Sequence, residues 1–352
     1  MLLGQAARSR ELSVRTLDPD PVHPASVLSE SITASFDDLA ALDSFTLEMD
    51  AVTVEGVGVP ASALMNCSRK CVIAPSVHAL EYGQDRLKTK ELCRKLKLPC
   101  AKGIAAVHLD DIDEALAAIG SPLLLVPKFR HNDERSAQIL SRREHVVQAW
   151  GERGTQDYTF EQFTNPEREI ACLAARSKEG QIVSYPLVEL IRSKGLLVQT
   201  DAPATGVSPA LTDAMITAMG AILDELEHVG MMCVTFLVRG DDYVVDTITP
   251  TVHPAGLWTF EGSNTNQYEN QIRALTEEEL GPGNSLVPCR TIRIFGSVPI
   301  AIKDLSMDGV MVHMYGMGQQ ADDVSVAHVT MMGTDRPDFV DRWKKLSKAL
   351  GL

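Results

Sequence analysis

The chain has 352 residues, 45% apolar and 23% charged, with 33 basic against 47 acidic side chains and a net charge of −14. That length allows two or three packed units of an ordinary globular protein, and the acidic balance argues against nucleic acid or an anionic membrane as partner. Seven scattered cysteines (67, 71, 93, 100, 172, 233 and 289) lack a second pair at zinc spacing and read as reduced thiols of a cytoplasmic protein. The opening MLLGQAARSREL is too short an apolar run for a signal peptide, and no stretch is long enough to cross a bilayer.

In chain order, residues 1–82 alternate short strands and helices, with strands at 13–17 and 50–55. Residues 83–97 have a helical period. Asp110 or Asp111 is placed to cap the helix holding Ala115 to Ile119. Residues 123–129 read as a strand, and Pro127 within it implies an edge or a distortion. A strand follows at 182–190, then an amphipathic helix at 212–229 whose methionine stripe faces the core. Two alternating runs, 231–238 and 243–249, flank Gly240-Asp241-Asp242 and read as a β-hairpin. It runs into the aperiodic loop His253-Pro254-Ala255-Gly256 and a helix at 267–275. A polar loop at strand ends is a common ligand site, which makes His253 and Trp258 pocket candidates. From about Leu286 a small β-rich unit is closed by a helix at 338–350.

The stretch 243–275 resembles the carboxyaminoimidazole ribonucleotide synthetases of purine biosynthesis, which are ATP-grasp enzymes. Pro250, His253, Gly256, Trp258, Thr259, Gln267, Glu269, Arg273 and Ala274 match that family in register. Leu17-Asp18-Pro19, Gln84-Asp85-Arg86 with Lys90, Glu161, Glu169, Tyr185-Pro186, His313 and His328 extend the match along the chain. The resemblance implies a mixed α/β and α+β ATP-grasp fold. It divides into a truncated N-terminal α/β domain (1–82), an ATP-grasp region (83–285) and a C-terminal β-rich domain with its closing helix (286–352). It also implies a homodimer. The family opens with a buried strand and a glycine turn that have no counterpart before Met1. Removing a central parallel strand exposes apolar neighbours, so either another element fills the gap or the true start lies upstream.

The departures from the family cluster at its chemistry. Its two metal-binding glutamates are Thr235 and Thr247 here, and the only nearby carboxylate is Asp246, expected on the opposite strand face. Its phosphate-binding lysine is Val126, with Lys128 two residues on and facing the same way as a substitute. Its glycine-rich mobile loop becomes Asn132-Asp133-Glu134-Arg135-Ser136, and its cationic ribonucleotide-phosphate segment becomes Ala321-Asp322-Asp323-Val324-Ser325. Under the resemblance, Arg86, Lys128, Glu161 and Glu169 are the nucleotide-binding candidates. His253, Asp246, Arg135 and Asp133 are the candidates for chemistry, and no residue set holds a metal. The leading expectation is a pseudoenzyme that binds an unknown small molecule or protein partner. The alternatives are a repurposed enzyme using the cleft without ATP, and a divergent ATP- and magnesium-dependent C–N ligase.

Overall fold

The computed structural model describes residues 1–109, 111–130, 137–151, 157–303, 305–333 and 336–350. The N-terminal part contains α1 (Leu2–Arg8), β1 (Arg15–Asp18), β2 (Glu30–Thr33), α2 (Leu39–Phe45), β3 (Ala51–Thr53), α3 (Ala61–Cys67) and β4 (Val72–Ala74). Asp38 starts α2 by accepting the amides of Ala40 and Ala41. β1 pairs in parallel with β2, and β3 with β4, but the two pairs form separate sheets. Leu17 of β1, Val52 of β3, Val54 just after it, and Leu2 and Leu3 of α1 line one shared cavity. These apolar side chains, all but Leu17 buried, border that cavity, and no strand among the described residues pairs between β1 and β3.

The helical period across 83–97 is two helices, α4 (Val77–Gln84) and α5 (Arg86–Lys95). Asp85 breaks them: its backbone is extended (φ −96°, ψ 115°), and its carboxylate accepts the amides of Leu87 and Lys88. A four-stranded antiparallel sheet follows, built from β5 (Gly103–Ala106), β6 (Leu123–Pro127), β7 (Gln138–Leu140) and β8 (Tyr158–Gln162) in the order β5-β8-β6-β7. Helices α6 (Asp111–Ile119) and α7 (Arg143–Gly151) belong to the same lobe. Two expectations are corrected here. Asp111 accepts the amides of Val107 and His108, both at 2.7 Å, and so braces the turn before α6 instead of capping its first turn; Asp110 lies outside the described residues. β6 is an interior strand, not an edge; β7 pairs with it only from Leu123 to Leu125, so Pro127 removes no ladder bond on that side.

The third layer is a nine-stranded sheet. It contains β9 (Arg168–Arg176), β10 (Ile182–Ser184), β11 (Val188–Ser193), β12 (Leu196–Ala202), β13 (Gly230–Arg239), β14 (Asp242–Thr249), β15 (Cys289–Phe295), β16 (Val310–Met314) and β17 (Ser325–Met332). The predicted strand at 182–190 is split into β10 and β11 around Tyr185-Pro186. Helix α8 (Pro209–Glu225), capped by Ser208, buries Met215 and Met219 against this sheet, so the methionine stripe is core as expected. After the hairpin come a 3-10 turn (Pro254–Gly256), α9 (Thr259–Gly262) and α10 (Gln267–Leu275). The strands of the expected C-terminal β-rich unit are not a sheet of their own. They continue the large sheet through the β12–β15 pairing, where Arg290 clasps Asp201 with two 2.7 Å bonds. Helices α11 (Ile300–Lys303) and α12 (Arg336–Leu350) close a separate small core that includes Val326, Val329, Met331 and Leu346.

Candidate functional site

The site is built around the β13–β14 hairpin, at the end where it passes into the His253 loop. Thr235 and Thr247 are register partners, and their hydroxyls lie 2.7 Å apart, at 1% and 9% exposure. The hairpin is bulged next to them: Thr235 faces Thr247, but Phe236 faces Val245, so Asp246 has no partner in the ladder. A bulge re-aims the extra side chain. Asp246 and Thr247 both line the cleft, which corrects the simple alternation that put Asp246 on the far face. The Asp246 carboxylate has no hydrogen-bond or ion-pair partner among the described residues.

The neighbouring hinge is set by α5 and β8. Arg86 and Lys90 are four residues apart on α5 and so share a face. Both reach Glu161 of β8, at 3.9 Å and 3.1 Å. Lys90 and Glu161 are 6% and 4% exposed, a buried ion pair. Arg86 and Glu161 line the cleft, and the buried Nε of Arg86 has no partner among the described residues. The backbone ties the same hinge together, because Arg86 N–H donates to the Lys128 carbonyl and Arg130 N–H to the Gln84 carbonyl.

Lys128, the expected substitute for the phosphate-binding lysine, is not among the residues that line the cleft. β6 ends at Pro127, so strand alternation no longer aims the next side chain; Val126 borders the cleft, while the Lys128 ammonium sits 3.7 Å from Asp85 and 4.9 Å from the centre of the Phe129 ring. Glu169 makes a two-pronged ion pair with Arg192, both bonds at 2.7 Å. Asp133 and Arg135 fall in 131–136, outside the described residues. His253 lines the cleft, yet its Nδ1 accepts the Ala255 amide at 3.0 Å and caps the 3-10 turn. Burial, followed by the charges of Arg130, Arg192 and Arg293, holds its pKa well below the usual histidine value, so the ring is neutral. Trp258 is fully buried and meets the Tyr185 ring edge-on, with centroids 6.4 Å apart. It is a packing residue, not a pocket residue.

Sequence reasoning missed two features of the cleft. Arg130, three residues past β6, sends Nη1 to the Ile248 carbonyl at 3.1 Å and Thr249 Oγ1 at 3.4 Å. Arg293 of β15 donates to the Leu197 carbonyl at 3.0 Å and stacks on Phe295. Nothing local marks either residue as cleft-facing; only the register of distant strands does. With Arg15, Arg86 and Arg192 they make five arginines around a cavity of about 1160 Å³ that continues into the gap between β1 and β3. Arginine forks suit phosphate oxygens, and the same lining carries the carboxylates of Asp18, Glu55, Glu161, Asp246 and Asp323. At the far end, Asp323, Val324 and Ser325 border the cavity where the resemblance would require cations.

Magnesium takes hard oxygen ligands, usually one or two carboxylates with waters and substrate phosphates. No group of three potential metal ligands exists among the described residues. The paired threonine hydroxyls satisfy each other, and among the described residues Asp246 is the hairpin carboxylate that borders the cleft.

Two family models together match most of the chain. Residues 91–268 match the ATP-grasp domain, and residues 1–84 match the ribonucleotide synthetase preATP-grasp domain. The chain is 28% identical over 335 residues to the N5-carboxyaminoimidazole ribonucleotide synthase of Pseudomonas aeruginosa, covering 95% of this chain and 92% of that protein. It is 27% identical over 328 residues to the Vibrio cholerae protein of the same name, covering 90% and 86%. Among solved structures, the N5-carboxyaminoimidazole ribonucleotide synthetase of Thermus thermophilus superposes with a TM-score of 0.93 at 28% identity, covering 99% of this chain and 95% of the other. The synthase of Aspergillus clavatus, solved in complex with ATP, shares the fold with a TM-score of 0.90 at 21% identity, covering 99% and 95%.

Proposed function

This chain belongs to the ATP-grasp family, on the branch of the carboxyaminoimidazole ribonucleotide synthases, and we propose that it is an ATP-dependent C–N ligase with a changed acceptor and a metal position reduced to one carboxylate. Similarity along nearly the whole chain to proteins named as synthases supports the ligase over a protein that only binds. The observation that carries the reading is the bulge that turns an unpartnered Asp246 into the cleft beside Thr247. One carboxylate suffices for magnesium when nucleotide phosphates and water complete its shell; the ion would then offset phosphate charge. Arg86 and the Lys90–Glu161 pair form the nucleotide side of the cleft. The acceptor is not the ribonucleotide of the relatives: Asp323 borders the region where its phosphate would need cations.

A second reading, a nucleotide-binding protein without turnover, is favoured by the Thr235–Thr247 hydroxyl pair. Each lost charge-assisted contact is worth roughly 1.5–3 kcal/mol. Losing two glutamates and a lysine, at Thr235, Thr247 and Val126, therefore suppresses turnover at least about a thousandfold. Calorimetric titration of ATP with and without Mg²⁺, on the protein and on Asp246→Asn, separates the two. The ligase reading expects magnesium to tighten ATP binding and Asp246→Asn to erase that gain. The binding reading expects neither effect. A protein that binds no nucleotide under any of these conditions refutes both.

A further inference from the structure

A row of ionisable side chains crosses the far end of the large sheet, and the ligase chemistry so far uses none of them. Arg293 of β15 is the register partner of His328 of β17, and His328 in turn is that of His313 of β16. The two imidazole rings stack, with centroids 4.4 Å apart and planes 10° from parallel. Glu261 of α9 closes the row by accepting a hydrogen bond at Oε1 from His313 Nε2. Tyr315, the residue after β16, bonds back to the same row, with its Oη 2.8 Å from His328 Nδ1. Tyr315 and Arg293 both border the cleft, on the wall that also holds Asp323. His328 stands behind them, fully buried, and its Nε2 has no partner among the described residues.

This arrangement decides which way the Tyr315 hydroxyl points. Burial, followed by the charges of His313 and Arg293, lowers His328 to about 3, so its ring is neutral and carries a single N–H. A proton on Nε2 would be a buried donor with nothing to meet, and buried N–H groups without a partner are rarer than under-satisfied acceptors. A proton on Nδ1 meets Tyr315 Oη and leaves only a lone pair unpaired. With its oxygen accepting from His328, Tyr315 turns its own O–H away from the ring and toward the space it borders, which is the cleft. The stack and the Glu261–His313 bond keep the His328 ring in place.

On the basis of the ligase reading above, we propose that the acceptor substrate carries a carboxylate bound by Tyr315 and Arg293, with Tyr315 donating its hydroxyl and His328 as the positioning residue behind it. The Arg293 guanidinium is held flat by stacking on Phe295 and by its bond to the Leu197 carbonyl. One guanidinium and one neutral hydroxyl match a single negative charge. A phosphate group brings more charge than this pair offsets, and Asp323 on the same wall repels the excess.

The test uses the whole protein labelled with 15N-histidine and 13Cζ-tyrosine, followed by NMR at neutral pH, with sodium acetate as the probe and equal sodium chloride as the control. His328 is expected as the Nδ1–H tautomer, so that the ring nitrogen correlated with both carbon-bound ring protons is the unprotonated one. Acetate is expected to move the Tyr315 signal along a saturating curve that chloride does not reproduce. Tyr315→Phe, followed at the His328 ring, should weaken acetate at least about tenfold, as expected for losing one hydrogen bond to a charged group. His328→Leu, followed at Tyr315, should also weaken it, and His328→Asn, which returns an amide donor near the Nδ1 position, should restore most of the affinity. The Nε2–H tautomer, or a Tyr315 signal that acetate moves no further than chloride does, would overturn the proposal. Both are read on the unmodified protein, whether or not a variant folds. Neither needs ATP: acetate binding in a protein whose ATP binding ignores magnesium would support the carboxylate site and count against the ligase reading alone.

Discussion

Replacing Lys90 by methionine tests the hinge most directly. Lys90 Nζ lies 3.1 Å from Glu161 Oε2, with both side chains buried, while Arg86 stands off at 3.9 Å. Removing one member of a buried pair strands the other charge, at a cost of about 3–5 kcal/mol. Arg86 remains to share the Glu161 charge, so Lys90→Met is expected near the lower end, about 3 kcal/mol. Glu161→Gln alone strands Lys90 in turn. The double variant Lys90→Met/Glu161→Gln strands neither, because a neutral amide and a thioether replace both charges, and it should recover most of the loss. Urea denaturation followed by circular dichroism gives the three stabilities, and the cycle gives the coupling. Nucleotide titration on the same proteins reads the site, since Glu161 borders the cleft. A Lys90→Met loss below about 1 kcal/mol, or a double variant no better than the sum of the singles, would show that water reaches the pair and that the hinge is not a dry electrostatic unit.

Acid should destabilise the protein ahead of its carboxylates. Burial lowers His228 to about 4 and His328 to about 3, so at intermediate pH the unfolded chain binds protons that the folded one does not. Their stabilisation is complete above about pH 6.5 and is lost as pH falls toward 4 and below; His228→Gln should flatten the pH dependence of the denaturation midpoint in that window. Gly256→Ala should cost about 1–3 kcal/mol by overpacking, because an added Cβ would collide with the Gln267 side chain that holds the His253 amide and carbonyl; near-UV dichroism from Trp258 would report the loss. Supplied with aminoimidazole ribonucleotide, bicarbonate and ATP, the protein should release no phosphate above background, and Val126→Lys/Thr235→Glu/Thr247→Glu should not restore turnover unless the 321–325 segment is also made cationic. Rapid phosphate release by the unmodified protein would refute the changed acceptor.

The hairpin and α10 were legible from local pattern alone: period-two alternation around Gly240 predicted β13 and β14, and α10 begins and ends where its helical period does. The resemblance placed Thr235 and Thr247 at the positions of two residues on facing strands of that hairpin, and in the structure they are register partners. The sequence also marked Arg86, Lys90 and Glu161, but not that they converge. That depends on β8 pairing with β5 and β6 across the lobe. Asp246 was misread because a bulge is decided by the register of two strands against each other, not by either strand's own alternation. The direction of the Lys128 side chain was not legible because β6 stops at Pro127, where the chain turns to bond α5. The small C-terminal unit looked separate because β12 and β15 are far apart in sequence, and only their pairing makes them one sheet. Local backbone preference and side-chain period act over a few residues and can be read along the chain. Bulges, converging charges and the filling of a sheet depend on free energies of contact between distant segments, and only the packed structure fixes those.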